Sequence, residues 1–236
     1  MQSLEADLAD ARDLDVDALA DAVEAIGFEC TRCGACCKAE AEDPHTATVF
    51  PDEVRDLQDA TDRDWRDLAR PMPYGLDAEA DAGGTGETFE WALQTDACGD
   101  CVFYDEDRDG DGTGGETAAG PGRCTVHDDR PLVCETYPFS VAIGGTTQPM
   151  GGVVEREGPI RAHECEGLGR DIEREDAVAM AETLKERAVR ELEEAIAVRD
   201  GYEPVASGDR DVVVFDGEGA KGVDGLPLDG DAGDEG

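Results

Sequence analysis

The sequence predicts a small, loop-rich α+β fold with a helix at each end, and three observations predict it. Both ends carry apolar residues at helical spacing, over 2–26 and 172–199. The apolar runs between them are short, and several alternate as half-buried strands do. Four cysteines fall within Cys30 to Cys37 and five more follow downstream. The middle of the chain is therefore organised around thiols rather than around a large apolar core.

The elements follow in order. Leu8, Leu14, Val16, Leu19, Val23 and Ile26 mark one helical face, broken near Asp13, so 2–26 reads as one bent helix or two short ones, stopped by Gly27. Thr48-Val49-Phe50 reads as a strand, and Pro51 opens a helix carrying Val54 and Leu57. A second short helix over 62–69 holds Trp65 and Leu68 and ends at Pro71 and Pro73. Residues 77–88 and 105–122 are Asp/Gly-rich loops on either side of the alternating run Phe89 to Leu93. Phe139 to Ile143 and Val153-Val154, separated by paired glycines, read as a hairpin pair. The longest helix covers 172–199, with Ala177, Met180, Ala181, Leu184, Ala188, Leu192 and Ala195 on one face and Asp171 as its cap. The expected division is an N-terminal helical segment 1–27, a cysteine-cluster metal-binding domain 28–170, a C-terminal helix 171–200 and an acidic, largely disordered tail 201–236.

The formal net charge is −39, from 59 acidic and 20 basic residues, and only Lys38, Lys185 and Lys221 are lysines. The acids run through the whole chain and interleave with the apolar helix positions, as suits a protein solvated in strong salt. At about 1 M salt the Debye length is about 3 Å, which screens most of the self-repulsion. No basic stripe exists to meet phosphates, which argues against a nucleic-acid partner. No apolar run approaches a membrane span, and the acidic start MQSLEADLAD reads as no signal peptide, so the expected location is the cytoplasm, away from membranes. Cytoplasmic thiols are normally reduced. Nine cysteines there, an odd number, point to metal rather than to disulfides.

In Cys30-x2-Cys33, two thiolates from one tight turn can reach one ion at about 2.3 Å. Gly34 after Cys33 relieves that turn because glycine accepts positive φ. Cys98-Gly99-Asp100-Cys101 repeats the pairing, so two such knuckles would make an all-thiolate zinc site. The rhythm Cys30-x2-Cys33-x2-Cys36 equally suits three corners of a [4Fe–4S] cluster, with Cys134 or Cys101 as the remote fourth ligand. Adjacent Cys36 and Cys37 more easily serve two centres, or one centre and one buried position.

The motifs Phe28-x-Cys30-x2-Cys33-Gly34-x-Cys36-Cys37, Cys101-Val102-Phe103, Cys124-Thr125-Val126-His127, Arg130-Pro131-Leu132-Val133-Cys134, Tyr137-Pro138-Phe139 and Cys165-Glu166-Gly167-Leu168-Gly169 run across 28–170. Together they resemble the YkgJ-type cysteine-cluster family, a zinc- or iron-chelating domain to which flagellin N-methylases are similar. The resemblance implies Cys30, Cys33, Cys36, Cys37, Cys101, Cys124, Cys134 and Cys165 as metal ligands, with zinc or iron, including a [4Fe–4S] cluster, as the cofactor. Glu135 stands where that family often carries arginine, and His127 where it often carries an aromatic residue. Cys98 is an addition to the family pattern.

Arg130 is positioned in sequence to donate hydrogen bonds to thiolate sulfurs or to nearby carbonyls. His127 and His163 flank Cys124 and Cys165 as further candidate ligands. Asp105, Asp107, Asp109, Gly110 and Glu116 match a calcium-loop spacing, although Gly112 replaces the usual aliphatic residue. The functions in play are a metal-binding protein stabilised by its centre, an enzyme of the methyl-transfer kind by resemblance, and an electron-transfer or redox module.

Overall fold

The computed structural model describes residues 3–39, 45–74, 76–77, 85–105, 123–143, 152–204 and 212–228. The N-terminal pattern resolves into two helices, α1 (Leu4–Arg12) and α2 (Val16–Ile26). Ser3 caps the first, and its hydroxyl accepts from the Ala6 amide. Asp15 caps the second, accepting from the amides of Asp17 and Ala18 at 2.9 and 3.2 Å. The break falls at Asp13-Leu14 because Asp15 supplies a new cap there. Gly27 ends α2, as its position predicts.

Along the chain follow β1 (Thr48–Val49), α3 (Pro51–Thr61), α4 (Trp65–Leu68), β2 (Ala69–Pro71), β3 (Leu76–Asp77), β4 (Thr85–Thr88) and β5 (Trp91–Leu93). Then come β6 (Tyr104–Asp105), β7 (Arg123–Cys124), α5 (Leu132–Thr136), β8 (Phe139–Val141), β9 (Val153–Glu157), β10 (Ile160–His163), α6 (Arg174–Gly201), β11 (Val212–Asp216) and β12 (Gly219–Lys221). This mixture of helices and small open sheets is the α+β class the sequence predicts. Pro51 occupies the first turn of α3, and the Glu53 carboxylate accepts from the Phe50 amide at 2.8 Å.

The chain divides into two compact units, Met1–His45 with Thr95–Leu192, and Thr46–Gln94 with Glu193–Gly236. The expected contiguous 28–170 domain is therefore interrupted, because residues 46–94 fold with the C-terminal part instead.

In the first unit α2 lies on the sheet β8-β10-β9. Leu19, Val23 and Ile26 from α2 meet Phe28, Phe139, Val141, Ile160 and Ala162, with Ala177, Ala181 and Leu184 of α6 in the same core. Phe28 and Phe139 meet edge to face at 5.6 Å. A fully buried Phe139 contributes on the order of 2 kcal/mol by burial alone. The expected hairpin is corrected here. Phe139–Val141 does not pair with Val153-Val154, because Ile160–His163 inserts between them and pairs with both. Ile160 and Ala162 alternate with Arg161, so that segment has the strand period.

In the second unit, β1-β5-β2 form one sheet and β12-β11-β4-β3 another, with β11 parallel to β4. The disordered tail expected over 201–236 is corrected over 212–228. Val212 to Phe215 is an apolar run with every residue buried, and the acids around it carry partners. The Trp91 indole donates to the Asp216 carboxylate at 2.8 Å. Lys221 reaches Asp216 at 2.9 Å and Glu218 at 2.6 Å. Arg55 grips both Glu218 oxygens at 3.1 and 2.6 Å. A buried carboxylate and a buried ammonium persist here because each meets the other and further donors or acceptors.

The Arg55 guanidinium, and after it Lys221, holds the Glu218 carboxyl down at about 2, against an ordinary 4.5. Because the folded value is depressed, the stability Glu218 supplies is complete above the unfolded value and is lost as pH falls from about 4.5 toward about 2. Melting curves from pH 6 to pH 2 should show wild type losing its thermal midpoint more steeply across that window than Glu218→Gln.

Candidate metal centre

Five chain segments carry the cysteines, and local hydrogen bonds draw them together. Beyond Gly27 the backbone runs against residues 167–169. Phe28 bridges Leu168, the Glu29 amide donates to the Gly167 carbonyl at 3.1 Å, and the Gly169 amide donates to the Gly27 carbonyl at 3.0 Å. A Cβ at Gly167 would stand 2.3 Å from the Glu29 oxygen, so only glycine permits this seam. Thr31 adds a side-chain bond to Glu166 at 2.5 Å. Cys30 and Cys33 are thereby held beside Cys165.

Arg32 then turns the chain with φ 56°, a left-handed conformation unusual for a side-chain-bearing residue. Gly34 follows at φ 72°, the positive angle its position predicts, and opens a single tight turn over Ala35–Cys37. The Cys101 amide donates to the Cys37 carbonyl at 2.8 Å, and the Ala39 amide to the Asp100 carboxylate at 2.8 Å. The Cys101 loop continues into β6, where Tyr104 sits opposite Cys124 of β7. The fourth segment is α5, whose Cys134 amide donates to the Pro131 carbonyl.

Three of the thiols share one local geometry: the amide two residues on donates to the sulfur. Phe103 does so for Cys101, Val126 for Cys124, and Gly167 for Cys165, the last at 3.4 Å. Such bonds favour the thiolate over the thiol. The Cys37 sulfur is hydrogen-bonded to those of Cys36 and Cys124. The single Cys37 S–H can donate to only one of these sulfurs at a time; such a bond pushes the Cys37 thiol up and lowers its partner, Cys36 to about 7 or Cys124 to about 6. The positive charge of Arg130 helps lower both. Burial pushes Cys101 up to about 11 and raises Cys134 and Cys165. Arg130 is itself fixed by donating from Nε to the His127 carbonyl at 2.8 Å. Of the two roles its sequence position suggests, the structure shows the carbonyl bond, and Arg130 acts on the thiols through its charge.

The sulfurs interact across the segments. The strongest thiol neighbours of Cys165 are Cys33, Cys36 and Cys30; those of Cys134 are Cys101, Cys36 and Cys124. Cys36 is common to both neighbourhoods. Cys98 is exposed, and its amide closes a local turn on Asp96. Among the described residues, no three His, Cys, Asp or Glu side chains stand in an arrangement that would itself hold an ion. The chemistry of the donors nevertheless fits a thiophilic metal: eight cysteines besides Cys98 lie in these five segments, and His127 Nε2 is buried with no partner among the described residues. His163 is buried with Nε2 at 2.9 Å from the Ser140 hydroxyl, which ties β10 to β8. The calcium-loop match lies outside the described residues apart from Asp105, which pairs with Arg123 at 3.2 Å.

Sequence reasoning missed Arg187. It is buried on α6 and bonds Glu191 at 2.7 Å and the Thr136 hydroxyl at 2.9 Å, so it braces the helix that carries Cys134. The signal is a basic residue between Leu184 and Ala188 on the buried stripe of α6.

A family model described as "Putative zinc- or iron-chelating domain", with the signature CxxCxxCC, matches residues 29–166. No curated protein matches the chain. No solved structure matches it.

In metal-stripped protein at pH 7, iodoacetamide should modify Cys36 and Cys124 before Cys101, as peptide mapping would show, and the rates should fall as pH drops through about 6–7. Arg187→Met should lower stability by about 3 kcal/mol in urea titrations at high salt, because Thr136 and Glu191 then lose a buried partner.

Proposed function

The chain belongs to the CxxCxxCC family of zinc- or iron-chelating domains, and from that membership we propose that its function is to hold a zinc or iron centre on Cys30, Cys33, Cys36, Cys37, Cys101, Cys124, Cys134 and Cys165. What supports this reading is that the five cysteine-bearing segments, spread over residues 30–165, are tied to one another by backbone hydrogen bonds. Four thiolates satisfy a zinc ion, and four also anchor a [4Fe–4S] cluster.

Within this reading each group has a role. The turn Cys30 to Cys37 supplies half of the sulfurs, and Arg32 and Gly34 set its shape. The amides of Phe103, Val126 and Gly167 orient three sulfurs and favour their ionised form. Arg130 offsets negative charge where thiolates gather. A bound centre supplies cross-links between distant segments, so its binding free energy becomes folding free energy. No feature among the described residues favours methyl transfer. A cytoplasm of high salt is the setting that suits the reduced thiols and the −39 charge, and no helix among the described residues is long and apolar enough to cross a membrane.

Protein purified without oxygen in strong salt should contain zinc or iron at stoichiometric level by elemental analysis, with acid-labile sulfide if the centre is a cluster. A chain that carries neither metal would defeat the reading. Adding the bound metal back to stripped protein at about a thousandfold excess over its dissociation constant should stabilise the fold by about 4 kcal/mol, read as a rise in thermal midpoint.

A further inference from the structure

We infer that the unit made of Thr46–Gln94 and Glu193–Gly236 folds without metal and closes the loop that carries five of the cysteines, so that it strengthens metal binding while supplying no ligand. The inference rests on the metal-binding function proposed above and names what supports that function from outside the cysteine segments.

The sequence divides the chemistry between the two units. All nine cysteines and all three histidines belong to the first, and both tryptophans belong to the second. The second unit has the means to stand without an ion. Val54, Leu57, Leu68, Leu93, Val213 and Val214 are buried in it. Trp65 and Trp91 meet edge to face at 5.1 Å. The Gly225 backbone lies on the Trp65 ring, where a Cβ would stand 2.3 Å from the ring atoms. The Lys221 ammonium is buried with the Asp216 carboxylate at 2.9 Å, so each charge is met by the protein itself.

The chain path gives this unit its effect on the thiols. Its two halves are separated by residues 95–192, which carry Cys98, Cys101, Cys124, Cys134 and Cys165. The halves nevertheless bind each other directly. Strand β11 pairs with β4, the Trp91 indole bonds Asp216 across 125 residues, and Arg55 bonds Glu218 across 163. Folding of this unit therefore fixes both ends of a loop of about 100 residues before any sulfur meets a metal. Cys30 to Cys37 are tethered to the same unit through residues 38–45, which lead into Thr46. A centre assembled from such a closed loop gives up less conformational entropy than one assembled from an open chain. The coupling is reciprocal, so metal held by the thiols stabilises the cysteine-free unit in turn.

The test uses the full chain, prepared without oxygen in strong salt and then stripped of metal. Both tryptophans lie in the cysteine-free unit, so their fluorescence reports on that unit alone. Stripped wild type should show the short-wavelength emission of buried indole and lose it in one cooperative urea transition. Solvent-like emission before any urea is added overturns the inference. Zinc, or ferrous iron where the purified protein carries iron, should move the transition to higher urea. A transition that stays in place while the metal binds overturns the inference and leaves the metal-binding function standing. Val214→Asp sets a charge in the fully buried middle of β11 and should unfold the unit, seen as solvent-like emission. Its affinity for the metal, measured by competition with a chromogenic chelator, should fall about tenfold or more, because a loop of about 100 residues is no longer closed. A smaller loss overturns the inference. If the variant is insoluble, the urea transition of wild type decides alone. A wild-type chain that takes up neither zinc nor iron removes the metal-binding function, and this inference with it.

Discussion

Everything around the thiols depends on the backbone seam between residues 27–29 and 167–169. Its two amide-to-carbonyl bonds join segments about 140 residues apart, and they do so at a point where Gly167 allows contact that any Cβ would block. On one side the seam continues from α2 into the core with Phe28 and Phe139. On the other it delivers Cys30 and Cys33 to Cys165. Apolar burial and sulfur placement are thus set by the same few residues, and a change that opens the seam disturbs both.

The thiols are held in unequal states by ordinary means. Burial keeps Cys101 and Cys134 neutral in the absence of a counter-charge, whereas amide donors, a neighbouring S–H and Arg130 favour charge on Cys36 and Cys124. In a chain with 59 acids, gathering thiolates is electrostatically adverse, so the placement of Arg130 among them carries weight. A cation is the group that relieves such an adverse cluster most directly, which is why donor chemistry and family membership point the same way.

Much of the helical part was legible because its signals are local. Asp13 announced the break between α1 and α2, Gly27 the stop, Pro51 the start of α3, and the alanine-rich stripe the course of α6. Gly34 announced a positive φ beside the cysteines, and the cysteine spacing itself announced the site. What could not be read depends on contacts distant in sequence. Val212 to Phe215 sits in an acidic stretch, so composition masked a strand whose partner, β4, lies more than a hundred residues earlier. Ile160–His163 is too short and too mixed to claim the place between two more apolar runs. Arg187 looked like one more surface charge until Thr136 was seen across from it.

Tyr104 and Cys124 face each other across a two-stranded ladder, and Thr125 closes the same corner on Phe103. The sulfur-bearing turns at 101 and 124 are therefore joined through space, independently of the covalent path that connects them. A change that opens this corner therefore disturbs both sulfur-bearing turns at once.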